Sequence, residues 1–159
     1  MYFVSVLLLT AILPLGSVYA DQAVLHNTLP LMLLIGKWFA FWAGGVRLFI
    51  AGIRQQVRPR LTSEGVFGIA GDDPLPFVRE LGMANVSMGL IGLIAPFVSA
   101  FVLPAAMVSG LYYLQAGIGH VRHGGRNAQR NLAMVSDLFV ALALLSYVGW
   151  AIWSYSGLS

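Results

Sequence analysis

Six side chains able to do chemistry interrupt otherwise apolar stretches of this 159-residue chain: Arg47, Glu80, Asn85, Gln115, His120 and Asp137. Carboxylates and an imidazole can trade protons, a guanidinium can hold an anion, and amides can orient a ligand. In a bilayer an isolated charge costs about 2.5–3.5 kcal/mol on the gentler scales, so these groups should seek one another. Two roles compete. The leading one is a structural ion-pair network, Arg47 with Glu80 or Asp137, that fixes helix register. The other is a proton- or ligand-binding pocket open to the cytoplasm.

The elements that must position these residues are membrane helices. Apolar residues make up 58% and charged residues 9% of the chain, against about 45–50% and 25% in an ordinary soluble domain. That balance excludes a water-soluble globule and a nucleic-acid-binding tail. With no cysteine, disulfides, thiolate metal sites, iron–sulfur clusters and thiol catalysis are excluded too. Five spans of roughly 20 residues each would leave room for turns and ends but for no separate soluble domain.

The expected fold is therefore all-α: one transmembrane domain over residues 1–159, with helices near 3–20, 31–53, 74–97, 103–121 and 131–155. The first helix is an addition to a core of four. It competes with a signal-peptide reading, because Val18-Tyr19-Ala20 before Asp21 has the form of a cleavage site; Met1-Tyr2-Phe3 lacks the basic residue of a leader. The linker Asp21 to Pro30 reads as short and polar. Residues 81–119 carry no acid, base or histidine and would form a helix about 58 Å long, so the chain must fold back. Pro96, Ser99 and Pro104 place that turn near Ser99–Leu103. Asp73 is the expected N-cap of the third helix, with Pro74 at its first position.

Arginines set the expected orientation. Arg54, Arg58 and Arg60 lie in the loop 54–73, and Arg122, Arg126 and Arg130 in the loop 122–130. Both loops fall on one face, which the positive-inside rule makes cytoplasmic, leaving the N-terminus inside and the C-terminus outside. These arginines serve as topology determinants, and the second set could also clamp anionic lipid heads. Trp38, Trp42, Tyr147, Trp150, Trp153 and Tyr155 gather near the outer boundary as an aromatic belt, where Lys37 can snorkel to the headgroups. The stretch Gly65 to Ala70 reads as lying on the cytoplasmic interface.

Small residues recur at helical spacing: Gly36, Ala40, Gly44, then Arg47, Ala51 and Arg54 in the second segment. The third has Gly82, Asn85, Gly89 and Gly92, and the fourth has Ala105, Ser109, Tyr112, Ala116 and His120. Such stripes let helix backbones approach closely within a bundle, or between copies of it. Arg47 continues the first stripe and should point into the bundle. Counted from the expected helix ends, Arg47 and Asp137 each lie about 9 Å deep, within the cytoplasmic third.

His120-x-x-His123 could put two imidazoles on one helix face, but a tight metal site needs three or four ligands and Gly124-Gly125 follow at once. The sequence shows no nucleophile elbow, zincin motif or phosphate loop. No metal, catalytic residue or cofactor is expected.

The stretches KWFAFWAGGVRLFIAGIRQ, VRELGMANVSMGLIGL, LQAGIGH and RNLAMVSDLF resemble a family of small bacterial multi-pass membrane proteins, a domain of unknown function, over about Leu29 to Leu145. The family-like positions include Arg47, Arg79, Glu80, Gly82, Asn85, Gly119, His120, Asn131 and Asp137. A remoter likeness ties the glycine-punctuated helices to the DoxX group. The first resemblance implies a membrane helix bundle; the second implies association with quinone-linked or redox membrane complexes.

The expected function is that of an integral protein of the cell inner membrane, non-enzymatic, acting as a homo-oligomer or as an accessory subunit of a larger membrane complex. The alternative is a small proton-coupled transporter or ligand-binding protein built on the polar cluster. The lipid bilayer is its expected partner.

Overall fold

The structure, a computed structural model, describes residues 2–122 and 128–157. Its regular structure is helical throughout the described residues. Five helices are long and apolar enough to cross a membrane: α1 (Phe3–Val24), α2 (Leu31–Val57), α4 (Leu75–Ile94), α5 (Ser99–Arg122) and α6 (Ala128–Tyr155). A short helical segment, α3, covers 60–67 between α2 and α4. This is a membrane protein, and its path is up and down. Arg54, Arg58, Arg60, Arg122 and Arg130 share one end of the bundle.

Several boundaries differ from those expected. The first helix runs to Val24 and carries Asp21 inside it, so no polar linker begins there. The second continues to Val57, four residues past Ile53. Helix α4 starts at Leu75 after an N-cap Pro74 whose position receives no side-chain cap; Asp73 lies in the preceding turn. The fold-back begins earlier than Ser99, just after Ile94, and a 3-10 turn over Ser99–Phe101 leads directly into the next helix. Pro96, unable to donate a backbone hydrogen bond, sits where α4 gives out.

Tight backbone approach pairs α2 with α4. A Cβ built on Gly92 would lie 2.4 Å from the Gly45 nitrogen, and one on Gly52 would lie 2.6 Å from the Gly82 carbonyl oxygen. Only glycine permits such proximity. The α2 side of this seam is Gly45 and Gly52, while the expected Gly36–Gly44 stripe packs on the other helices of the bundle. Gly36 instead lies beneath the Tyr147 ring of α6, and Gly44 faces Ser109 of α5. Successive residues point in different directions around a helix, so Gly44 and Gly45 meet different neighbours; the stretch Ala40–Arg47 that holds them winds as a π-helix. Helices α5 and α6 form the second tight pair, with Gly110 against Leu144 and Leu145 and Gly117 against Leu138.

The two pairs converge at the end opposite the arginine loops. Phe39, Ala40, Ala43, Ala105, Ala106, Val140, Leu144, Tyr147 and Ala151 build the apolar core there. At that end Asp21 accepts hydrogen bonds from Asn27 Nδ2 at 2.8 Å, Lys37 Nζ at 2.9 Å and Trp38 Nε1 at 2.9 Å. Lys37 is thus an ion-pair partner of α1. Trp42 likewise turns to α1, donating to Ser17 Oγ at 2.9 Å. Tyr147 is buried and belongs to the core, so the expected belt supplies interior contacts at three of its members.

Candidate functional site: a polar chamber between two helix pairs

At the arginine-rich end the two pairs splay apart. A chamber of about 1030 Å³ opens between them, walled by α1, α2, α4, α5 and α6 and covered by α3. That volume is at the upper end of the range for small-molecule sites, roughly 300–1,000 Å³.

An ion pair stands in its wall. Arg47 Nη2 donates to Asp137 Oδ1 at 2.9 Å and approaches Ser136 Oγ at 3.4 Å. His120 Nε2 lies 3.8 Å from the other carboxylate oxygen, Oδ2. The Arg47 guanidinium also lies over the Tyr113 ring, 5.0 Å from its centroid, a cation–π placement that favours a fixed cation. Tyr113 is held in turn by its hydroxyl, which donates to the Ala43 carbonyl at 2.7 Å. Ala43 belongs to the π-helical stretch that delivers Arg47. The Asp137 side chain is 7% exposed, that of His120 13% and that of Arg47 14%, so the last two keep somewhat more contact with open space.

Arg47 stands ten residues inside the end of α2 and Asp137 nine residues into α6, about 15 Å and 13–14 Å from those helix ends at helical rise.

A second polar unit completes the wall. Asn85 Nδ2 donates to Gln55 Oε1 at 2.8 Å, joining α4 to α2. Asn85 is 1% exposed, lines the chamber, and leaves its Oδ1 buried without a hydrogen-bond partner. Tyr112 lines the chamber as well.

Of the six residues singled out in the sequence, the structure brings Arg47, His120 and Asp137 together and puts Asn85 in the same wall. Gln115 is exposed at the chamber edge. Glu80 is exposed on α4 and does not line the chamber. Five residues along a helix is a rotation of about 140°, so with Asn85 turned inward Glu80 must face away. Arg47 therefore pairs with Asp137, not with Glu80.

The arginines of the loops divide. Arg58 and Arg122 are exposed, and Arg60 is paired with the exposed Asp72. Arg54 lines the chamber. Arg130 is buried and no headgroup clamp: its Nε donates to the Val66 carbonyl at 3.3 Å and its Nη2 to that of Phe67. It thereby holds α3 against α6, and Val66, Phe67 and Ile69 line the chamber. Arg126, His123 and the following glycine pair lie outside the described residues. Among the described residues no three His, Asp or Glu side chains gather as metal ligands.

Sequence reasoning missed Gln55, Tyr113 and Ser136. Gln55 was hidden because the second span was ended two residues before it. Tyr113 and Ser136 neighbour Tyr112 and Asp137, and the tyrosine could have been found as an aromatic hydroxyl one helix away from an intramembrane arginine.

A family model matches residues 1–154, nearly the whole chain. The chain belongs to DUF6790, a family of unknown function. No curated protein and no solved structure matches it.

Proposed function

We propose that this DUF6790 protein is a non-enzymatic binding protein of the cell inner membrane, holding a small molecule in the chamber beside the Arg47–Asp137–His120 cluster. The observation that carries this reading is the chamber itself, about 1030 Å³ reaching an intramembrane ion pair. A dry, fully paired cluster would have favoured a purely structural role and action by association with copies of itself or with other subunits. Here a chamber reaches the cluster, and Asn85, which donates to Gln55, lines the same space. Intramembrane ionisable residues that meet a cavity mark binding sites and pathways. The arginine-rich end is taken as cytoplasmic on the positive-inside rule, so the chamber faces the cytoplasmic half of the bilayer and the N-terminus is inside.

Native mass spectrometry of the full chain, extracted gently with its lipids, tests the reading. We expect a small molecule retained at one per chain and lost in Ala51→Trp, which fills the chamber from α2. Identical bound species on both proteins would refute it. A stable complex with a second subunit and an empty chamber would return the reading to an accessory role.

A further inference from the structure

We infer that α3 and the residues just after it form a hinged cover over the chamber, latched to α6 by Arg130, and that molecules enter and leave by its release. This rests on the binding role above and supplies its gate. The cover is tied to itself. Ile69 N donates to the Ser63 carbonyl at 2.9 Å and Ser63 Oγ donates to that of Ile69, closing a ring at a fully buried serine. A segment closed on itself in this way can swing as one body. Its two ends can turn. Arg58, between α2 and α3, leaves the helical region with φ −134° and ψ 63°. Beyond Ile69, Gly71 has φ +96°, a region open to glycine, and a Cβ built on it would meet nothing within 4 Å. The Arg60–Asp72 pair spans that second turn, but its side chains are 61% and 75% exposed, so it holds the turn only weakly.

The cover is lightly packed and specifically held. Leu61 and Ile69 line the chamber yet stay half exposed, so their burial adds little to hold the segment down. Arg130, buried near the start of α6, reaches across to the Val66 and Phe67 carbonyls. Hydrogen bonds from a charged donor are stronger than those from a neutral one. Val66 and Phe67 are themselves part of the chamber wall, so releasing these two bonds frees the wall directly. The transmembrane helices are poorly suited to move instead. Backbone meets backbone where Gly45 and Gly52 touch α4, and Gly110 and Gly117 seat α5 on α6. Sliding either pair would give up close packing along its length, whereas opening in proteins is drawn from segments with few buried apolar contacts.

The test uses the full chain in a non-ionic detergent and the rate at which a water-soluble maleimide modifies a single introduced thiol, the chain having no cysteine of its own. Ala51→Cys places the thiol in the chamber wall on α2. Ala105→Cys places it in the apolar core, at a position 1% exposed. Adding Arg130→Gln should speed modification of Ala51→Cys about tenfold or more, the change in an opening equilibrium that goes with losing one net hydrogen bond from a charged donor. It should leave Ala105→Cys protected. Arg130→Lys, which keeps the charge without the forked donor, should give an intermediate rate, and it carries the test alone where Arg130→Gln does not fold. Equal acceleration at both thiols would overturn the latch and make Arg130 a general prop of the bundle. An Ala51→Cys thiol that reacts no faster with either Arg130 variant, while native mass spectrometry still finds a retained molecule, would overturn the cover and leave the binding role standing. The expected rates together with identical bound species on the parent chain and Ala51→Trp would keep the cover and take down the binding role.

Discussion

Removing one member of the Arg47–Asp137 pair should cost far more than removing both. Arg47 lies about 15 Å inside the end of α2, and its partner carboxylate is 7% exposed. Arg47→Met strands that carboxylate among Ser136 and a histidine 3.8 Å away. Breaking a buried pair costs about 3–5 kcal/mol, and the gentler membrane scales put one unpaired charge at about 2.5–3.5 kcal/mol. The chamber gives the residual charge some polar company, so the lower part of these ranges applies: about 3 kcal/mol for either Arg47→Met or Asp137→Leu. The double variant removes both charges and should lose only about 1 kcal/mol, leaving a coupling of about 5 kcal/mol. Reversible unfolding of the full chain by dodecyl sulfate in mixed micelles, followed by the fluorescence of its four tryptophans, measures all corners of the cycle. Single variants each within about 0.5 kcal/mol of the parent, adding simply in the double, would show that the pair does not set the register of α2 against α6.

Three further outcomes follow from the packing. Gly92→Ala places a methyl 2.4 Å from the Gly45 nitrogen and should cost about 1–3 kcal/mol by overpacking in the same unfolding assay; Gly149→Ala, which meets nothing within 4 Å, should be neutral or stabilising. Asp21→Ala removes the acceptor of three side-chain donors and should lose about 2 kcal/mol, with faster hydrogen exchange over residues 13–24 as its signature; unchanged exchange there would show that α1 docks without it. Because the chain has no cysteine, single Arg58→Cys and Ser156→Cys variants report topology directly: an impermeant thiol reagent should reach only Ser156→Cys in intact cells, and labelling of Arg58→Cys instead would invert the orientation.

What the sequence made legible was set by hydropathy and by the scarcity of charge. The existence of five spans follows from uninterrupted apolar length, and the fold-back after Ile94 from a run too long to be one helix. The inward position of Arg47 followed from its place on a small-residue face, while its partner stayed open between Glu80 and Asp137. Less legible was everything that depends on rotation about a helix axis. Glu80 was grouped with Asn85 by depth alone, although a 140° turn separates them. Gly36 and Gly44 were read as part of a packing face and do pack, on α6 and α5, but Gly45 and Gly52, which meet α4, were not singled out. Arg130 reads as a topology arginine in any charge census, and its capture of the Val66 and Phe67 carbonyls depends on a long-range approach.

The chamber has a cause in the glycine pattern. Gly45 and Gly52 draw α2 onto α4 along a seam that also passes Gly82, Gly89 and Gly92, while Gly110 and Gly117 draw α5 onto α6. Each seam extends toward the arginine-rich end, so each pair stays closed there. Between the pairs the bulky contacts lie at the other end, where Tyr147 covers Gly36 and Phe39 packs into the apolar core. Two rigid pairs joined at one end must leave a gap at the other, and that gap is where Arg47, Asn85, His120 and Asp137 stand. A bundle needing only to be stable could close it with a few larger apolar side chains, since replacing a buried ion pair by such residues is often neutral or stabilising. Instead Ala51, Ala116 and Ala133 line the gap, small residues that leave it open where leucines would fill it. An open, charged gap in the interior of a small bundle lowers stability, and a bound molecule offsets that loss by mass action. Saturating ligand should therefore raise the unfolding midpoint of the parent chain and leave that of Ala51→Trp unchanged.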